Sequence, residues 1–191
     1  MERLPFNQVD SVVDLLLQVY RTAHTVFLFG NGGSAALASH FACDLGKGTA
    51  NGSRPRFRVM ALTDNVPLMT AWANDANYED IFAEQLLNFA APGDLAFAIS
   101  GSGNSPNVLK ALRVAKQAAL TTAGLTGFAG GQMRGLCDAC IVVPSDNMQM
   151  IEDLHLCIAH SLFTCIQARI AGQKQAAPVE RPFLVPRTVQ R

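Results

Sequence analysis

The stretch TVFLFGNGGSAALASHFACDL, residues 25–45, decides the fold. Thr25–Phe29 is a short, unbroken apolar run, as a strand buried on both faces requires. It ends at Gly30-Asn31-Gly32-Gly33, and Ser34 opens a helical stretch. A buried strand, a glycine turn and a helix in that order form the first half of a βαβ unit. The pattern recurs along the chain. Strands are expected at 57–62 (FRVMAL), 95–100 (LAFAIS), 120–127 and 140–144 (CIVVP). Helices are expected at 7–22, from 34, from 66, at 78–90, from 105 to 119, near 131–136 and over 147–170. Five apolar strands alternating with helices make an α/β fold: a three-layer sandwich with a five-stranded parallel sheet between helices, of flavodoxin-like topology.

The composition agrees. The chain has 191 residues, and 15 basic against 15 acidic residues leave no net charge. Hydrophobic residues make up 49% and charged ones 16%, which excludes a disordered chain. A neutral balance argues against a nucleic-acid partner. No unbroken apolar run reaches the ~18–20 residues of a membrane span, so no membrane partner is expected. MERLPFNQVD lacks the features of a secretory signal, and a cytoplasmic location is expected. Five cysteines without framework spacing read as small buried hydrophobes, Cys137-x-x-Cys140 included. Residues 1–23 read as an N-terminal helix and 24–171 as one domain. Residues 172–191, with Pro178, Pro182 and Pro186, read as a flexible tail, the alternative being an arm that grips a neighbouring subunit.

Two loops carry chemistry. GNGGS (30–34) offers backbone N–H groups and one hydroxyl, and SGSGNS (100–105) offers the hydroxyls of Ser100, Ser102 and Ser105. Each precedes a helix, whose free N–H groups and positive dipole end suit a phosphate. Neither is a Walker A loop nor a full G-x-G-x-x-G, so nucleotide hydrolysis and nicotinamide binding lose ground. Two such loops in one short domain favour a small phosphorylated ligand. On the helices beside them, His40 and Asp44 are four residues apart and share a face. Glu152 and His160 lie on one side of the last helix, and His155 points away from His160. The four could hold a divalent metal or move protons; they could also be ordinary core or interface residues. Asn74-Asp75 reads as a helix end.

In order, FGNGGSAALASHFACDL, TAWANDANYEDIF, AISGSGNSPNVLKAL, LTGFAGGQM and IEDLHLCIAH resemble the sugar isomerase (SIS) domain family. The likeness is greatest to its phosphoheptose isomerases, which interconvert sedoheptulose 7-phosphate and D-glycero-D-manno-heptose 7-phosphate, and it covers about 24–170. The resemblance implies a heptose-phosphate substrate and a homotetramer with active sites between subunits. It implies phosphate contacts from Ser34, Ser100, Ser102 and Ser105, with Gly101 between them. It implies substrate contacts from Asn31, Gly32, Gly33, Asn74, Asp75 and Glu152. It implies metal ligands at His40, Asp44, Glu152 and His160, with zinc favoured, Asp44 as base and His160 as acid. Three positions depart from the family: Asp44 stands for a glutamate, Glu152 for a glutamine, and Gly101 for a hydroxyl residue. The N-terminal helical region also looks short. Other family members act on other sugar phosphates or dock proteins without catalysis, as the initiator-associating protein of bacterial replication does. A non-catalytic binding module is therefore the alternative expectation.

Overall fold

The computed structural model describes residues 5–172 except 51 and 53. Five strands form one parallel sheet in the order β2-β1-β3-β4-β5. They are β1 (Thr25–Gly30), β2 (Arg58–Ala61), β3 (Leu95–Ser100), β4 (Thr121–Thr126) and β5 (Ala139–Val142). The helices are α1 (Phe6–Arg21), α2 (Gly33–Cys43), α3 (Val66–Asp75), α4 (Ala83–Phe89), α5 (Pro106–Gln117), α6 (Met133–Leu136) and α7 (Met148–Gly172). The strand order reverses between β1 and β3, so the loops after these two strands flank the crevice where open α/β sheets bind ligands.

Side-chain alternation splits the core into two layers. Val26, Leu28, Leu95, Phe97 and Ile99 face α1, α2 and α7; Phe27, Phe29, Ala96 and Ala98 face α4, α5 and α6. β3 is buried along its whole length, and its alanines let α5 lie close to the sheet. Aromatic pairs lock the layers: Phe41 meets Phe97 edge-on at 5.7 Å, and Phe29 lies 5.4 Å from Phe82.

The expected elements are present with shifts of one or two residues at most ends. The main difference is at 78–90. One helix is expected there, but the chain makes a short 3-10 turn at Tyr78–Asp80 and then α4. The Asp80 carboxylate pairs with Lys110 of α5, and Gln85 donates to the carbonyls of Leu62 and Ile81. These tertiary bonds override the helical period. A second difference concerns α7. It is 25 residues long with a window of mean hydropathy 1.2, enough by length and composition alone to cross a bilayer. Its stripe of Ile151, Ile158, Leu162, Ile166 and Ile170 is buried in the core beside the sheet, as in a core helix. The tail beyond 172 lies outside the described residues.

The cysteine expectation holds only in part. Cys137 and Cys140 are half-buried and their sulfurs flank Gly124, whereas Cys43, Cys157 and Cys165 are exposed, so these three are not core residues.

Candidate functional site

The first loop leaves β1 where only glycine fits. A Cβ on Gly30 would stand 2.5 Å from the Ile99 carbonyl oxygen and 2.7 Å from the Ser34 Cβ. Gly32 takes a positive φ of 53°, which turns the chain into α2. Ser34 is buried in the first turn, its N–H bonded to the Asn31 carbonyl at 2.9 Å.

The second loop is built on its own hydroxyls. Ser100 and Ser105 Oγ lie 3.2 Å apart, and Ser100 Oγ accepts the Gly103 N–H at 3.2 Å. Ser102 Oγ accepts the Asn104 N–H at 3.2 Å. Gly103 has φ 65°, and a Cβ there would run into the Gly130 carbonyl. The 127–132 turn therefore closes over this loop, held by the Gln132 N–H donating to Asn104 Oδ1 at 3.0 Å. At Gly101 a Cβ would come within 2.5 Å of the Met148 sulfur. Met148 fills the space that a side chain at 101 would use.

The two loops are tied to each other. Asn31 Nδ2 donates to Asn107 Oδ1 at 2.9 Å, and Asn107 Nδ2 donates back to Asn31 Oδ1 at 2.8 Å. Tyr78 OH donates to the same Asn31 oxygen at 3.1 Å. Asn107 and Tyr78 escape sequence reading, because a helical Asn and an exposed Tyr carry no periodic signal. The Asn31 side chain is thus engaged in fixing the loop.

About two turns along α2, the polar cluster assembles. His40 Nε2 and His160 Nε2 are 3.0 Å apart, and Asp44 Oδ2 lies 3.4 Å from the first and 4.0 Å from the second. Asp44 begins a wide π-type turn, Asp44–Gly48, that continues α2. Close packing of α2 on α7 sets the distance: a Cβ on Gly48 would stand 2.5 Å from Phe163, and Gln167 donates to the Gly48 carbonyl at 2.9 Å. The two imidazoles are about half exposed, at 50% and 48%, and the carboxylate less so at 25%. Their donor atoms all lie within 4.8 Å of one another. Two imidazole nitrogens and a carboxylate are a donor set that fits a divalent cation.

Glu152 is not part of this cluster. Its carboxylate oxygens lie 3.2 Å from where a Cβ on Gly33 would be, over the start of α2. It lines a cavity of about 300 Å³ with Gly33, Ser34, His40, Asp153 and His155. Asn74 and Asp75 end α3 and pair with each other at 2.8 Å, exposed to solvent. Among the described residues neither bonds to the two loops.

The comparisons fit this geometry. The SIS domain profile matches residues 2–127. A phosphoheptose isomerase from Trichlorobacter lovleyi is 37% identical over 164 residues, 86% of this chain and 83% of that protein. The chain belongs to the SIS-domain phosphoheptose isomerase family. Two solved members of that family superpose on it. The phosphoheptose isomerase from Neisseria gonorrhoeae is 29% identical with a TM-score of 0.81, covering 87% of this chain and 89% of the other. The one from Francisella tularensis is 30% identical with a TM-score of 0.80, covering 87% of each. Within this phosphoheptose isomerase fold, the two loops follow β1 and β3 at the carboxyl end of the sheet, and the His40–Asp44–His160 cluster joins α2 to α7 further along those helices.

Proposed function

We propose that this chain catalyses the interconversion of sedoheptulose 7-phosphate and D-glycero-D-manno-heptose 7-phosphate, a step that supplies heptose units. The observation that carries the reading is the His40–Asp44–His160 cluster on the two helices beside paired hydroxyl-rich loops, in a member of this family. Ser34, Ser100, Ser102 and Ser105, with the N–H groups at Gly32, Gly33 and Gly101, hold the phosphate. That remote grip converts binding energy into orientation at the reacting carbons. Asn74, Asp75 and Glu152 contact the sugar.

Moving the carbonyl between adjacent carbons needs a base for the carbon-bound proton and an acid for the oxygen. Asp44 takes the carbon proton and His160 serves the oxygen. His40, Asp44 and His160 would hold a divalent cation, zinc by donor type, which would stabilise charge developing on the substrate oxygens. Asp44 is one methylene shorter than the family's glutamate, a difference of about 1.5 Å in reach; the wide turn that begins at Asp44 is the element able to absorb it. The protein works in the cytoplasm as a homotetramer whose neighbouring subunits cover the half-exposed cluster.

The test is a metal-replete assay on five- to seven-carbon ketose phosphates. Sedoheptulose 7-phosphate should give the aldose product. Asp44→Asn and His160→Ala should each lower kcat by about 10²-fold or more while the fold is kept. Phosphosugar binding without product from any ketose would leave a binding module instead; turnover of a different ketose would change the substrate and keep the reaction.

A further inference from the structure

His155 faces away from the His40–Asp44–His160 cluster, yet its position is unusual. It is only 1% exposed, and its Nε2 has no hydrogen-bond partner among the described residues. It also lines the 300 Å³ cavity beside Ser34 and Glu152. Its other ring nitrogen bonds to the Thr126 backbone, where the carbonyl also accepts the Val143 N–H at 2.8 Å. A carbonyl can only accept, so Nδ1 carries the proton and Nε2 presents a lone pair. A buried acceptor left unpaired is costly, and the ring that carries it belongs to the lining of a cavity, so a group bound there is the partner the fold leaves open to it.

We propose that His155 is a further substrate-contacting residue, accepting at Nε2 a hydrogen bond from a hydroxyl of the bound sugar phosphate. The inference rests on the proposed sugar-phosphate reading and deepens it. The chemistry sets which end of the substrate lies there. A lone pair and the carboxylates of Glu152 and Asp153 all accept, so this wall repels a phosphate dianion and welcomes hydroxyl donors. The phosphate stays with the donors of the 100–105 loop and of the Gly33–Ser34 end of the cavity, and the polyol part lies against the Glu152–His155 wall. His155 thereby selects for a hydroxyl at one position along the sugar, as a site built to pair a hydroxyl rejects an analogue that lacks it.

The discriminating variant is His155→Asn. Its amide retains a donor toward the Thr126 carbonyl and loses the Nε2 acceptor. Binding of sedoheptulose 7-phosphate and of inorganic phosphate is measured by calorimetry on both proteins. Sugar-phosphate affinity should fall by about tenfold, with inorganic phosphate within about twofold. Equal loss of both, or loss of neither, overturns the proposal. Should His155→Asn fail to fold, ring 15N spectra of the wild-type protein decide: Nε2 should shift on adding the sugar phosphate and hold still with inorganic phosphate. A still Nε2 in both overturns it. Binding is read independently of turnover, so an inactive protein that still shows the selective loss would refute the isomerase reading and keep His155.

Discussion

At the level of single side chains, burial gives His155 a second consequence. Desolvation pushes its pKa down to about 4, against an ordinary 6.5, only partly offset by the bond to the Thr126 backbone. The folded state therefore holds the ring neutral while the unfolded chain protonates it first. This contribution to stability is complete above the unfolded value. It is lost as pH falls from about 6.5 toward 4, by about 3 kcal/mol at most. Urea denaturation at a series of pH values should show that loss, and His155→Asn should flatten it. A profile equally steep in both proteins would assign the acid sensitivity to other groups. The role of His155 is not visible in the sequence alone. His40, Asp44 and His160 were legible because their spacing on two helices matched a family pattern. His155 turns away from His160, and spacing says nothing of what faces a helix on its other side. Only the packed cavity reveals it. Met148 is similar: the loss of a side chain at Gly101 is visible in the sequence, but the methionine that takes its space is 47 positions away.

At the level of elements, the two loops and the helices they open do the positioning. The strands are readable from unbroken apolar runs, and their order, β2-β1-β3-β4-β5, is that of the expected flavodoxin-like topology. The break at residues 78–90 was not readable, because the Lys110 and Leu62 groups that cause it lie outside the segment. The reciprocal amides of Asn31 and Asn107 were hidden for the same reason. A consequence follows for the 100–105 loop. Gly103 combines a positive φ with backbone contact to Gly130, so a side chain there is strained and has no room. Gly103→Ala should cost about 2 kcal/mol or more and should weaken inorganic phosphate binding, because the loop and the 127–132 turn must part. Gly135, with open space around the position of a Cβ, is the control: Gly135→Ala on the short helix α6 should change stability little or raise it. Thermal melts with and without phosphate separate the two.

For the molecule as a whole, the described residues leave several large apolar side chains exposed. No residue of α3 is fully buried, although its sequence VPLMTAWAND is mostly apolar; Met69, Trp72 and Ala73 are half-buried against the core. Val66, Leu87 and Met150 are 59%, 61% and 55% exposed, and Leu156 lines the cavity at 41%. An amphipathic or wholly apolar helix keeps its place only by burying a face. With charged residues at 16% of the chain, no polar shell compensates. A second copy of the chain is the covering that the family resemblance implies, and its arrival would shield the half-open imidazoles from water, strengthening every charge interaction among them. Light scattering after size exclusion should therefore give about four times the chain mass. Val66→Lys places a charge on an exposed position of α3, away from Met69, Trp72 and Ala73, which pack on the core. It should lower the mass, and if subunits complete the active site, turnover should fall with it and recover at high protein concentration. Dissociation with full activity at every dilution would make each subunit self-sufficient, and the cluster of His40, Asp44 and His160 would then have to work in open solvent.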